Sequence, residues 1–195
     1  MVITPDFVWL HLPRTAGTST TALMRQAKQC LPRSRQSEWI VDDDRLRDKH
    51  DNRLSREIRS GQVVWPARVA MTLRPLDGWL LSNWKWATRH GLQVSKERYL
   101  EGEFFSMRTG QYCPADWWLD YFEVDTVTDF IRMDCLERDL NDLIQSADSS
   151  IPHLTLPHLN ELGVTEPTLL RSEAREANPK WTALETRLWP GGWPR

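Results

Sequence analysis

Scarcity defines this chain first. Three cysteines, Cys30, Cys113 and Cys135, stand far apart and form no C-x-x-C pair. Neither a disulfide framework nor a thiolate zinc site follows, and a reducing, cytoplasmic setting is the simplest expectation. No apolar run approaches the length of a membrane span, and no signal-peptide pattern is visible. Charge of either sign is also lacking in excess: 25 basic residues against 27 acidic ones leave a net charge of −2. That argues against a polybasic nucleic-acid surface, so an anionic ligand has to be met by cations gathered locally. Asp42, Asp43 and Asp44 suit a helix start better than a metal site, because no second carboxylate cluster is spaced to join them. His153 and His158 flank prolines and share no helical face, so no metal is expected. Repeats and low-complexity segments are absent, and 195 residues predict one domain around one core.

What the chain has in abundance is tryptophan, eleven in all. Most are expected in the core, with a few able to stack on a ring. Trp39, Trp65, Trp117 and Trp118 are candidate walls for an acceptor, suiting a sugar and an aromatic ring equally.

The richest stretch runs from Phe7 to Thr20. Residues 7–12 read as a buried strand, 18–30 as a helix carrying Ala22, Leu23 and Ala27 on its apolar stripe, and the polar loop between them as an anion cradle. Successive backbone N–H groups and an unpaired helix start attract a phosphate. Gly17 permits close approach, Thr15, Thr18, Ser19 and Thr20 add hydroxyls, and Arg14 adds a cation. Capping by Ser19 or Thr20 explains the same hydroxyls. The loop departs from the triphosphatase pattern G-x-x-x-x-G-K-[ST], since the cation precedes the glycine and the lysine is missing.

Further along, residues 37–41 form a short apolar run and 42–59 a charged helix carrying His50 and Glu57. Residues 63–65 and 68–73 read as strands. A helix opens at Pro75, another is capped by Ser95 and runs to Leu100, and a third opens at Pro114 and runs to Phe122. Residues 126–132 predict a strand and 134–145 a helix with Leu136, Leu140, Leu143 and Ile144 inward. A last helix, through Leu188, has Asn178 as its cap and Pro179 in its first turn. Strand–loop–helix units at Phe7, Arg68 and Thr126 predict a three-layer α/β fold with a central parallel sheet.

The loop His11–Ser19 resembles the H-I-P-K-T-G-G-T-S loop of sulfotransferases that use 3′-phosphoadenosine 5′-phosphosulfate, with Arg14 for Lys and Ala16 for Gly. A second stretch, Thr72 to Ser82, is similar to the family's 3′-phosphate motif, in which a strand ends in Arg and a Ser follows eight residues on. Residues 130–140 are similar to the family's next strand-to-helix segment, with Asp134 for Glu, and Leu156–Asn160 to an L-P-H-L-N of the carbohydrate-type branch. The resemblance spans about Phe7 to Leu188. It implies a P-loop-like nucleotide-binding topology, with Arg14, Thr15, Ala16, Gly17, Thr18 and Ser19 at the 5′-phosphosulfate and Arg74 and Ser82 at the 3′-phosphate.

The implied reaction is sulfuryl transfer to a hydroxyl or amine of a small-molecule or carbohydrate acceptor. Arg14 holds charge on the leaving phosphate, although its pKa above about 12 makes it a poor proton donor. Where the carbohydrate branch often has Gly-His, this chain has Gly61 and Gln62, and an amide orients a hydroxyl without taking its proton. His50 is the candidate base, with Glu57 and His11 as alternatives; Gln62 is the candidate acceptor contact. Two other readings stay open: a non-catalytic nucleotide-binding relative, and a small-molecule or nucleoside kinase with an atypical loop, which would need magnesium.

Overall fold

Phe7, Val8, Trp9 and Leu10 are all buried, which a strand achieves only when both faces of its sheet are covered. In the computed structural model, which describes residues 1–41, 66–157 and 170–192, the chain is α/β. It divides into two compact units, Met1–Leu73 with Phe122–Glu161, and Arg74–Tyr121 with Leu162–Arg195.

The first unit holds a five-stranded sheet. Its strands are β1 (Val2–Ile3), β2 (Phe7–Leu10), β3 (Ile40–Val41), β4 (Arg68–Leu73) and, last in the chain, β7 (Asp129–Arg132), in the order β3-β1-β2-β4-β7. Pairings β2–β4 and β4–β7 are parallel, whereas β1 runs antiparallel to both β2 and β3. The sheet is therefore mixed, which corrects the expectation of a parallel one. The cause is local: Thr4 folds the chain back on itself, with Phe7 N–H donating to Thr4 Oγ1 at 2.9 Å and Thr4 N–H to Phe7 O at 2.9 Å. So short a connection can join antiparallel strands only.

Helix α1 (Gly17–Cys30) puts Leu23, Met24 and Ala27 into the core, with Met24 in the place expected of half-buried Ala22. The short α2 (Arg33–Gln36) follows, and Leu136–Ala147 is a further helix of this unit. Leu136, Leu140, Leu143 and Ile144 face inward at helical spacing, as their pattern predicts, and pack with Phe7, Trp9, Ala70 and Ile131 of the sheet. Both neighbouring elements begin later than expected: 3₁₀ turns occupy Val124–Thr126 and Met133–Cys135. At the start of β4 the Arg68 guanidinium grips Asp129 of β7 through two bonds, of 2.7 and 3.3 Å, and holds that carboxyl below its usual range.

The second unit contains α3 (Leu76–Arg89), α4 (Lys96–Leu100), the antiparallel hairpin β5 (Glu103–Ser106) and β6 (Gln111–Pro114), and α5 (Asp116–Tyr121). With the helix Leu136–Ala147 numbered α6, α7 (Ser172–Glu176) and α8 (Pro179–Leu188) complete it. Ser95 caps α4 as predicted, its hydroxyl oxygen accepting from Arg98 N–H. Pro114 ends a strand instead of opening a helix, a position where its missing N–H is tolerated. The core forms around Trp79, whose ring meets Trp181 at 4.9 Å and Phe104 at 5.2 Å.

Asn178 does not cap α8 with its side chain. It is fully buried; its carbonyl oxygen accepts from Asp116 N–H, and its amide donates to Gly102 O and Ala174 O. The cap comes from Asp116, whose two carboxylate oxygens accept from Lys180 and Trp181 N–H, each at 2.8 Å. Burial pushes the Asp116 carboxyl up, and these two bonds oppose the shift.

The charged helix expected over 42–59, with His50 and Glu57, and the strand over 63–65 lie outside the described residues. Among the described residues, no helix is long and apolar enough to cross a membrane.

Candidate functional site

Leu10 of β2 stands opposite Met71 of β4 in a parallel pair, so the two strands end side by side in the sheet. The loop His11–Ala16 leaves the first strand, and Arg74 follows the second directly. Such carboxyl ends are where open α/β sheets hold ligands.

In the loop, Arg14 and Ala16 both adopt positive φ, 65° and 57°, conformations that side chains other than glycine disfavour. Thr15 is fully buried and its hydroxyl donates to Leu12 O at 2.7 Å. That bond closes the loop on itself, which leaves the backbone and not the Thr15 hydroxyl to face a ligand. Helix α1 starts at Gly17 with Ala16 as its N-cap, no side-chain cap, and no acidic residue in its first turn. Capping by Ser19 or Thr20 is thereby corrected, because both lie inside the helix. Thr20 N–H donates to Ala16 O at 3.0 Å. The positive end of a helix of this length, left without an acid, favours an anion. Thr18 is exposed there, while Ser19 is buried.

The left-handed backbone at Ala16 is one that glycine adopts without strain. Ala16→Gly is expected to stabilise the protein by about 0.5–1 kcal/mol, the left-handed strain removed less the extra freedom of an unfolded glycine. Urea titration should show a higher midpoint at unchanged slope. An equal or lower midpoint would mean that this backbone is not strained.

In the second unit, Arg74, Gly78 and Ser82 are brought together. Gly78 and Ser82 are one turn apart on α3, and a Cβ added to Gly78 would stand 3.0 Å from Arg74 Nε. The Arg74 side chain thus lies along the helix face that carries Ser82. Burial lowers the guanidinium from its ordinary value while Asp77 works the other way, and the group stays cationic. Ser82 is buried. The Arg74 carbonyl accepts from the Trp181 indole at 3.0 Å, and the first turn of α3 is held by Glu185, which accepts from Leu76 N–H. The sequence reading missed Gly78 and Trp181; a glycine one turn from both Arg74 and Ser82 was the available signal.

His50 and Gln62, the candidate base and acceptor contact, lie outside the described residues, as do Glu57 and Trp65. Of the other tryptophans expected to wall an acceptor, Trp39 and Trp118 are buried core residues and Trp117 is half-buried. The core expectation itself holds for Trp9, Trp39, Trp79, Trp118, Trp181 and Trp189. Among the described residues, no group of three or more His, Cys, Asp or Glu side chains is disposed to hold a metal. Comparison with protein-family profiles, with curated proteins and with solved structures gives no match to the chain.

Proposed function

We propose that the chain is a sulfotransferase that takes 3′-phosphoadenosine 5′-phosphosulfate as its donor, on a P-loop-like, three-layer variant of its α/β fold. One observation carries this reading: Arg74, placed directly after β4, lies over Gly78 on the helix face of Ser82. A cation and a hydroxyl on one face, with a glycine making room between them, suit a phosphate monoester. In the first unit, the start of α1, whose N-cap Ala16 makes no side-chain cap and which has Arg14 in the loop before it, suits an anionic group in its own right.

The donor supplies a sulfuryl group on a phosphate leaving group, and transfer breaks that S–O bond as the acceptor's oxygen or nitrogen bonds to sulfur. Arg14 and the N–H groups of Thr15 to Ser19 would bind the phosphosulfate, Ala16 and Gly17 contributing backbone alone. Arg14 stays charged throughout, so its part is to stabilise the charge growing on the leaving phosphate. Arg74 and Ser82 would bind the 3′-phosphate. His50 as base for the acceptor's proton and Gln62 as its orienting contact are proposals from the sequence alone. The acceptor is a hydroxyl- or amine-bearing small molecule or carbohydrate, and no metal enters the scheme. Three free thiols suit a reducing, cytoplasmic setting.

The test is a panel of sugar, phenol and amine acceptors with sulfur-labelled donor, alongside binding of adenosine 3′,5′-bisphosphate and of ATP with magnesium. Magnesium-independent labelling of an acceptor is the expected result. Tight bisphosphate binding with no transfer across the panel would point to a binding-only relative, and magnesium-dependent phosphorylation would point to a kinase.

A further inference from the structure

We propose that His11 is a positioning residue for the anion cradle and not the base of the reaction. This rests on reading the start of α1 as that cradle. The His11 ring is buried, 4% exposed, and is stacked on the Trp9 indole with centroids 5.0 Å apart and planes 28° apart. Its Nε2 edge lies against Gly17, so closely that a Cβ built there would overlap the ring. Trp9 is anchored in turn, its indole N–H donating to the buried Thr72 hydroxyl of β4 at 3.0 Å.

These contacts form a chain of rigid parts from the neighbouring strand to the first residue of α1. The links are a short buried hydroxyl, two flat rings and a backbone atom, so few rotamers are available to take up slack. Position 17 must be glycine because the imidazole occupies the side-chain space, and the imidazole is there because Trp9 holds it. The consequence is a fixed direction for the Gly17, Thr18 and Ser19 N–H groups, which are the ones a bound anion would meet. A buried ring that is stacked on an indole and has its Nε2 closed off by the Gly17 backbone is poorly placed to take an acceptor's proton, whereas it is well placed to set the backbone beside it.

Four proteins decide this: the natural chain, Gly17→Ala, His11→Ala, and the two substitutions together. Each is measured for its urea midpoint, for the amide resonances of Thr18 and Ser19 without ligand, and for affinity toward adenosine 3′,5′-bisphosphate. Gly17→Ala alone is expected to lower the midpoint, since its methyl strikes the ring; adding His11→Ala should raise the midpoint again. His11→Ala alone should move both amide resonances and weaken bisphosphate binding by about tenfold, the equivalent of one good hydrogen bond. Loss of a base would instead spare bisphosphate affinity and reduce turnover alone. Additive midpoint losses, unmoved amides, or unchanged affinity in a natural chain that binds would each overturn the proposal. If Gly17→Ala does not fold, His11→Ala still decides through the amides and the affinity. A natural chain that binds no bisphosphate, yet shows moved amides and non-additive midpoints, would retain the positioning role and remove the cofactor reading.

Discussion

Replacing Arg74 with alanine should weaken adenosine 3′,5′-bisphosphate binding by about 2–5 kcal/mol, the range for truncating one partner of a buried charge pair. Ser82→Ala should weaken it by about 1 kcal/mol, as for a single hydrogen bond. Adenosine 5′-monophosphate has no 3′-phosphate, so neither substitution should alter its affinity. The fold should tolerate the change, because the contact that ties Arg74 into the second unit runs from the Trp181 indole to its backbone carbonyl, which alanine keeps. Calorimetric titration of both nucleotides against both variants is the measurement. Equal losses for the two nucleotides would show that Arg74 and Ser82 do not read a 3′-phosphate.

The second large effect concerns stability. Asn178→Ala is expected to destabilise the second unit by at least about 2 kcal/mol, since Asp116 N–H and Ala174 O lose their partners at roughly 1–3 kcal/mol each, while Gly102 O keeps the longer bond from Ala115 N–H. The three groups that the Asn178 side chain binds, Asp116 N–H, Gly102 O and Ala174 O, lie on three different elements or their ends. An asparagine acting as a cap alone would cost about 1 kcal/mol. Hydrogen exchange at the amides of β5 and α8 separates the two cases, because it reports the unit in question and not the whole chain. A loss near 1 kcal/mol would mean that water replaces the buried bonds.

Asn178 also marks the boundary of what is legible in a sequence. Asn before Pro179 obeys the local rule for a helix start, and the helix is where the rule puts it. The side chain nevertheless serves residues 62 and 76 positions away, and the cap is supplied by Asp116, which no local pattern connects to it. The same division runs through the fold. Strands β2 and β4 and helices α1, α3, α4 and α6 were legible from apolar spacing and turn residues, since burial on one or both faces writes itself into that spacing. Strand β1 was missed because two residues carry no period. The β5–β6 hairpin was missed because Pro114 reads as a helix opener until a partner strand is known. In the candidate site, residue types and order were legible. That Thr15 turns its hydroxyl inward, that Ala16 is the N-cap, and that His11 fills the space above Gly17 were not, since each depends on backbone dihedrals or on a neighbour brought in by the fold.

The stack of Trp9 on His11 gives the loop an optical and magnetic address. In a chain with eleven tryptophans, bulk fluorescence averages over both units, but the Trp9 indole N–H is tied to one hydroxyl, that of Thr72. Its single proton resonance therefore follows the packing behind the loop from inside the core. An anion arriving at the exposed side of α1 would be detected there through the imidazole, with no label introduced and no residue of the cradle altered.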